Sequence, residues 1–360
     1  MDAGRRRSPD EDRISGLPDE LLHSILLRLR SIRAAARTGV LSRRWRHVWA
    51  RLPELVLFGR DGPPPATFLD SVDAALAAYS APTLKQLDIF VPSACPRVPA
   101  RRVAPWLRFA SQRVSGALTV FVLPWTVSLR RPGADGEVEE LELPACDGAT
   151  KITLCLDLGR QWQLRLRPVG LFTALTELTI ELCNMEATEL TALASARCPR
   201  LKDLRILVTL VADSDVSVCL ESLVSLWFPV ENTRRLEVLT PMLEVLDVSR
   251  TIEADICAPK LAKLIWQRGA YDPHKHQFTD VGRYLPLLDI SSDSVKASLL
   301  LRFDKVGQLK LGVSIPQGIS AYESFLNETN KLPSSIFNNH GLAVRYTLPA
   351  RTSAANHMAR

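Results

Sequence analysis

The chain has 360 residues, room for one to three domains at roughly 150 residues each, and its 46% hydrophobic and 23% charged composition excludes a disordered chain. Its 45 basic and 39 acidic groups leave a net +6, all of it in residues 1–60 (13 Arg against 7 acids), while residues 61–360 balance 32 against 32. That neutral bulk argues against a protein that wraps nucleic acid on a broad basic surface, and the longest uncharged run, Val114 to Leu129, is 16 residues with Pro124 inside it, short of a membrane span.

In chain order, residues 1–11 read as a disordered basic and acidic tail; Arg5-Arg6-Arg7 there is weak as an import signal and reads as solubilising. From residue 12 to 58 the spacing predicts three short helices. Pro18 suits a first helical turn, Asp19 and Glu20 sit well in its positive field, and Leu21, Leu22, Ile25, Leu26 and Leu29 fall on one face. Ser31 can cap a second helix through Ala34–Ala36, stopped near Gly39. A third carries Leu41, Trp45, Val48, Trp49 and Leu52 on one face, with Arg43, Arg44 and Arg46 forming a solvated basic side. A unit of about 47 residues is marginal alone, and its leucines and two tryptophans suggest a core completed against a partner.

This segment resembles the F-box. The family's L-P-x-E-[LI]-[LI]-x-x-I-[LF]-x-x-L stands here as Leu17 to Leu29, and its V-[LC]-[SC]-[RK]-x-W-R-x-[LV]-W as Val40 to Trp49. The wording is similar to the plant branch, apart from Arg30-Ser31 where that branch reads Leu-Pro-[TS]. The resemblance implies docking to the Skp-type adaptor of a cullin–RING ubiquitin ligase. Motif and helical face together assign the contact to Leu17, Pro18, Leu21, Leu22, Ile25, Leu26, Leu41, Ser42, Trp45 and Trp49.

Residues 59–65 are a Gly/Pro linker, and residues 66–315 repeat. P-x-L-x-x-L occurs at Pro82, Pro199, Pro241 and Pro259, continued two places on by Ile89, Ile206, Val248 and Trp266. Similar units without the proline start at Val138, Leu175, Leu223 and Val306, and the starts at 175, 201, 223, 243 and 261 are 26, 22, 20 and 18 residues apart. This approaches the period of a leucine-rich repeat, whose strands bury their leucines only when stacked. The position eight residues after the first leucine, where such repeats prefer Asn or Cys, holds Cys146, Cys183, Thr209, Thr251 and Ser314, which accounts for the two cysteines as small buried groups. A helix is expected over 101–113 with Val103, Trp106, Leu107 and Ala110 on one face, and strands through Leu118, Val120, Val122 and through Ile152, Leu154, Leu156. A further degenerate unit is expected between 261 and 306.

The order F-box, linker, irregular repeats resembles the plant F-box/leucine-rich-repeat proteins, often ending in an FBD module; no FBD-like block is read here, and residues 316–360 are taken as a partly disordered tail. The expected fold is α/β: a three-helix F-box, then an irregular leucine-rich-repeat solenoid with a parallel strand face. In L-x-x-L-x-L the third and fifth residues alternate away from the buried leucines. Those positions, Glu177 and Thr179, Asp203 and Arg205, Ser225 and Trp227, Val245 and Asp247, Lys263 and Ile265, form the expected target face, with Trp227 beside Arg205 as its hot spot.

Nothing in the sequence calls for catalysis or a cofactor. The hydrolase, zincin, P-loop, dinucleotide and paired C-x-x-C motifs do not occur, and His274 and His276 with Asp272 and Asp280 read as a solvated turn rather than a metal site. Seven cysteines, an odd number, and an opening without an apolar segment point to a reduced, intracellular protein of nucleus and/or cytoplasm. Two functions compete: a non-enzymatic substrate receptor of a Skp–cullin–F-box ligase, with no nucleic acid or membrane partner, and a non-ligase interaction scaffold.

Overall fold

The computed structural model describes residues 17–28, 48–58, 65–92, 95, 98–122, 138–156, 162–167, 170–249, 251–267, 271–292, 299, 302–303, 305–314 and 341–347. The chain divides into two units, residues 1–174 and 175–360. The expected second helix, the start of the third, the linker core and most of the C-terminal tail lie outside the described residues.

In the first unit, α1 (Asp19–Arg28) begins where the Pro18 carbonyl accepts the N–H groups of Leu21 and Leu22, each at 3.1 Å. A 3₁₀ turn, Trp49–Arg51, leads into β1 (Glu54–Phe58). Then come α2 (Pro65–Ala78), β2 (Leu84–Val91), α3 (Ala100–Arg113), β3 (Val114–Val122), β4 (Glu139–Leu143), β5 (Lys151–Cys155) and β6 (Trp162–Leu166). Strands β1, β2, β3 and β5 pair in parallel. Parallel neighbours need a crossover, and α2 and α3 supply the first two. The residues leading into β1 are tied to the α2–β2 segment: Ser80 N–H donates to Ala50 O at 2.9 Å, Lys85 N–H to Pro53 O at 2.8 Å, and the Tyr79 hydroxyl to Leu52 O at 2.9 Å.

Helix α3 matches its expected face, with Val103, Trp106, Leu107 and Ala110 all buried. Its free N-terminal N–H groups attract an acid: the Ala100 N–H donates to Glu139 Oε2 at 2.6 Å. The β2–β3 register slips between Leu84 and Gln86, and there a Cβ on Gly116 would stand 2.3 Å from the Lys85 carbonyl oxygen. Only glycine lets the backbones approach so closely.

One expected repeat falls elsewhere. The unit at Val138, Leu141 and Leu143 does not extend the β1–β2–β3–β5 ladder: β4 pairs with β6 in a second parallel ladder, Leu141 opposite Leu164 and Leu143 opposite Leu166. Short apolar strands in either ladder carry the same alternation, so the pattern alone does not say which ladder a strand joins.

The second unit repeats this arrangement. Its elements are β7 (Glu177–Met185), α4 (Ala187–Ala192), a π-helical turn (Leu193–Arg197), β8 (Asp203–Val218), β9 (Ser225–Phe228), β10 (Glu231–Leu239), β11 (Val245–Ser249), β12 (Glu253–Cys257), β13 (Lys263–Gln267), β14 (His276–Thr279), β15 (Tyr284–Ser292), β16 (Lys305–Ser314) and β17 (Gly341–Thr347). One parallel ladder runs β7, β8, β9, β11, β13, β15, β16, β17. Its inward leucines stack in register, Leu178, Leu204, Leu226, Leu246, Leu264 and Leu288, all buried, and the leading leucines 175, 201, 223, 243 and 261 are buried as well. Strand β15 fills the expected gap between 261 and 306, turning Leu285, Leu288 and Ile290 inward.

A second ladder, β8–β10–β12–β14, has no counterpart in the repeat pattern. It buries Val216 and Val218, Leu236 and Val238, and Ala254 and Ile256. Its solvent side is charged: Arg234 Nε donates to Asp215 Oδ1 at 2.8 Å and Arg235 Nε to Asp255 Oδ2 at 2.9 Å, and the bond from Arg234 holds the Asp215 carboxyl below its usual range. Such exposed cross-strand pairs are screened by water and favour register more than they add stability.

Candidate protein-interaction surfaces

Helix α1 divides its apolar stripe. Leu22 and Leu26 are buried in the chain's own core, at 0% and 1% exposure, while Leu21 and Ile25 are open at 51% and 41%. Residues four apart stack on one face of a helix, so Leu21 and Ile25 form one patch and Leu22 and Leu26 another, about 100° round. Of the residues assigned to the adaptor, Pro18 is exposed, Leu17 and Trp49 are half-buried, and Leu41, Ser42 and Trp45 lie outside the described residues. Of the four leucine and isoleucine side chains assigned to the adaptor on this helix, only Leu21 and Ile25 therefore offer accessible surface in the free chain.

In the second unit, the ladder brings the expected outward residues into two register rows. One reads Glu177, Asp203, Ser225, Val245, Lys263; the other Thr179, Arg205, Trp227, Asp247, Ile265, and it continues into Asp289 and Lys310. None of these side chains is buried. The Arg205 guanidinium lies over the Trp227 ring, 4.8 Å from its centroid, a cation–π pair that holds a flat aromatic surface at the ladder's outer side. Next to it, the Asp247 carboxyl is pushed up to about 6, first by burial and then by Asp289, with Lys263 and Arg205 working against the shift.

The turn read as solvated is only half so. His274 is exposed, but His276 is 2% exposed, because β14 pairs with β12 and sets His276 opposite the small, buried Ala254. There it packs edge-on to Trp266 at 5.0 Å and over Tyr271 at 5.6 Å, and its Nδ1 accepts the Asp272 N–H at 2.9 Å. The Asp272 carboxylate is itself held by the His274 N–H at 2.9 Å, and among the described residues no cluster of three or more metal-binding side chains forms. Burial lowers the His276 pKa, and it pushes the Cys146 and Cys198 thiols up to about 12, which makes them poor nucleophiles.

These two titrations have opposite signs. His276 charges more readily unfolded, so its contribution is full above about pH 6.5 and is lost as pH falls through its lower folded value. Asp247 protonates more readily folded, so its contribution is full below about pH 4 and is lost as pH rises through about 6. We expect a shallow net pH dependence of stability between about pH 4 and 6.5. In urea titrations, Asp247→Asn should make the unmasked acid loss steeper and His276→Phe should reverse it; parallel profiles for all three proteins would refute the assignment.

Comparison with known proteins then places the N-terminal segment: residues 14–57 match the F-box domain. An F-box/FBD/LRR-repeat protein of Arabidopsis thaliana is 29% identical over 250 residues, 68% of this chain and 50% of that protein. An F-box protein of the same plant is 36% identical over 110 residues, 30% of this chain and 33% of its own length. A putative F-box/LRR-repeat protein, also from Arabidopsis thaliana, is 35% identical over 117 residues, 32% of this chain and 23% of that one. The matches thus span between 23% and 50% of these relatives' lengths. The chain carries an N-terminal match to the F-box domain, and among the plant proteins it is similar to are ones named F-box/LRR-repeat and F-box/FBD/LRR-repeat.

Proposed function

We propose that this chain is the substrate-recognition subunit of a Skp–cullin–F-box ubiquitin ligase. The observation that carries the reading is an F-box match over residues 14–57 in a chain whose later strands present Arg205 and Trp227 side by side on an outward ladder row. In this reading residues 12–58 complete a three-helix F-box on a Skp-type adaptor, and through it on cullin and RING subunits. The paired ladders are an irregular leucine-rich-repeat solenoid, and the row through Arg205, Trp227 and Asp247 grips a target protein. The chain adds no bond chemistry of its own; tethering raises the target's effective concentration at the charged conjugating enzyme. It works inside the cell, in nucleus and/or cytoplasm.

A half-buried tryptophan under an arginine has the composition of an interface hot spot, where removal costs about 2 kcal/mol or more, about 30-fold in affinity. The Arg205→Ala/Trp227→Ala variant is expected to keep its fold and adaptor binding and to lose target capture by that factor. Proximity labelling with and without proteasome inhibition identifies the stabilised targets, and the variant is compared on them. Equal capture by the two proteins would move recognition to another surface.

A further inference from the structure

The first unit carries an outward face of a different kind. On β1, β2 and β3 the residues Phe58, Phe90 and Phe121 stand in register. Phe90 and Phe121 stack at 5.4 Å with 20° between planes, and Phe58 meets Phe90 at 5.7 Å and 78°, so its ring stands across the end of the stack and stays 50% exposed. These rings are not core, because their inward neighbours Leu57, Ile89 and Val120 are already buried. In the adjacent row Asp88, between Val56 and Thr119, is 8% exposed and takes a hydrogen bond from Gln86 Nε2 to its Oδ2 at 2.6 Å. Cross-strand aromatic pairs stabilise a sheet, but that role does not require a phenyl ring left half open to water, as Phe58 is, nor a carboxylate sunk beside the row.

Both features favour a cation. Aromatic faces attract positive charge through their quadrupole, and a desolvated carboxylate gains most from a charged donor. An apolar occupant would bury Asp88 without a counter-charge, and an acidic one would meet Asp88 and Glu54, which lie in neighbouring rows of the same face. A guanidinium suits the place better than an ammonium: it is planar, weakly hydrated, and stacks on a ring while donating to a carboxylate. We propose that the outward face of β1–β3 is a docking site for an arginine side chain of a protein partner, its guanidinium at Asp88 and its flat face on the phenyl row. This surface is separate from the Trp227 row and does not depend on it.

The test uses the full chain on arrays of blocked nonapeptides with randomised flanks and a fixed central arginine, lysine, citrulline or glutamate. The arginine array should retain the chain, and citrulline, the same shape without charge, should lose about tenfold or more. Asp88→Asn should lose the arginine preference by a similar factor, and Phe58→Ala should weaken retention by about 3- to 30-fold. Trp227→Ala should leave it unchanged, which separates this site from the proposed target row. Circular dichroism of each variant checks the fold. Equal retention by arginine and citrulline, a preference for lysine or glutamate, or full arginine retention by folded Asp88→Asn and Phe58→Ala proteins would each overturn the proposal.

Discussion

Replacing Leu21 and Ile25 together by alanine is expected to weaken binding to a Skp-type adaptor by at least about 30-fold, and by up to about 1000-fold if the two losses add. Both side chains are about half exposed, four residues apart on α1, within the F-box match. Because about half of their surface already faces water in the free chain, removing them should change stability by only about 0.5 kcal/mol each. Leu22→Ala is the contrasting variant: its side chain is fully buried, so it should cost about 2–5 kcal/mol of stability and lower adaptor binding only through unfolding. Calorimetric titration of purified adaptor, with circular dichroism alongside, distinguishes the two effects. An unchanged affinity in the well-folded double variant would shift the interface to Leu17, Pro18 and the Leu41–Trp49 segment.

The split within α1 is not legible from periodicity. Leu21, Leu22, Ile25 and Leu26 make one broad stripe, and hydropathy does not separate the half that fills the chain's own core from the half left for a partner. The inward side of the long ladder is legible almost residue by residue, because P-x-L-x-x-L marks both the turn and the two alternate strand positions that must be buried. The outward rows follow from the same alternation, and Arg205 stands over Trp227 as adjacency suggests. The second ladder escapes because strands such as β10 and β12 mix charges with apolar residues, Arg234, Arg235, Glu253 and Asp255 among them, and lack the leucine spacing of the repeats. His276 escapes for a related reason: its burial depends on pairing with Ala254, a long-range fact. Asp88 is the fifth position of the first repeat and Phe90 lies two places beyond it, so the alternation that exposes Arg205 and Trp227 also turns these two outward.

Trp106 is where helix periodicity and long-range bonding meet, and Trp106→Ala is expected to cost about 3–5 kcal/mol. The side chain is 1% exposed on the buried face of α3, so its loss removes a large apolar surface from a site lined by Val103, Leu107 and Ala110 on the same helix face. Its indole Nε1 also donates to Asp73 Oδ1 at 2.6 Å, bonding α3 to α2. Asp73 in turn meets the Arg102 guanidinium at 3.1 Å, and Asp70 meets it at 2.7 Å. Those ion pairs are partly solvated and contribute about 1 kcal/mol at most, so the ring outweighs them. Trp106→Phe isolates the hydrogen bond: it keeps most of the apolar volume and should cost about 1–2 kcal/mol, since water can reach the freed Asp73 carboxylate. Against a domain stability of about 5–15 kcal/mol, the alanine variant would lose much of its folded population and the phenylalanine variant little of it. Urea midpoints for the two variants, fitted with a common slope, give the comparison. A cost below about 1 kcal/mol for Trp106→Ala would mean that the α2–α3 layer collapses around the gap and that this tryptophan does not hold the crossover helices on the first ladder.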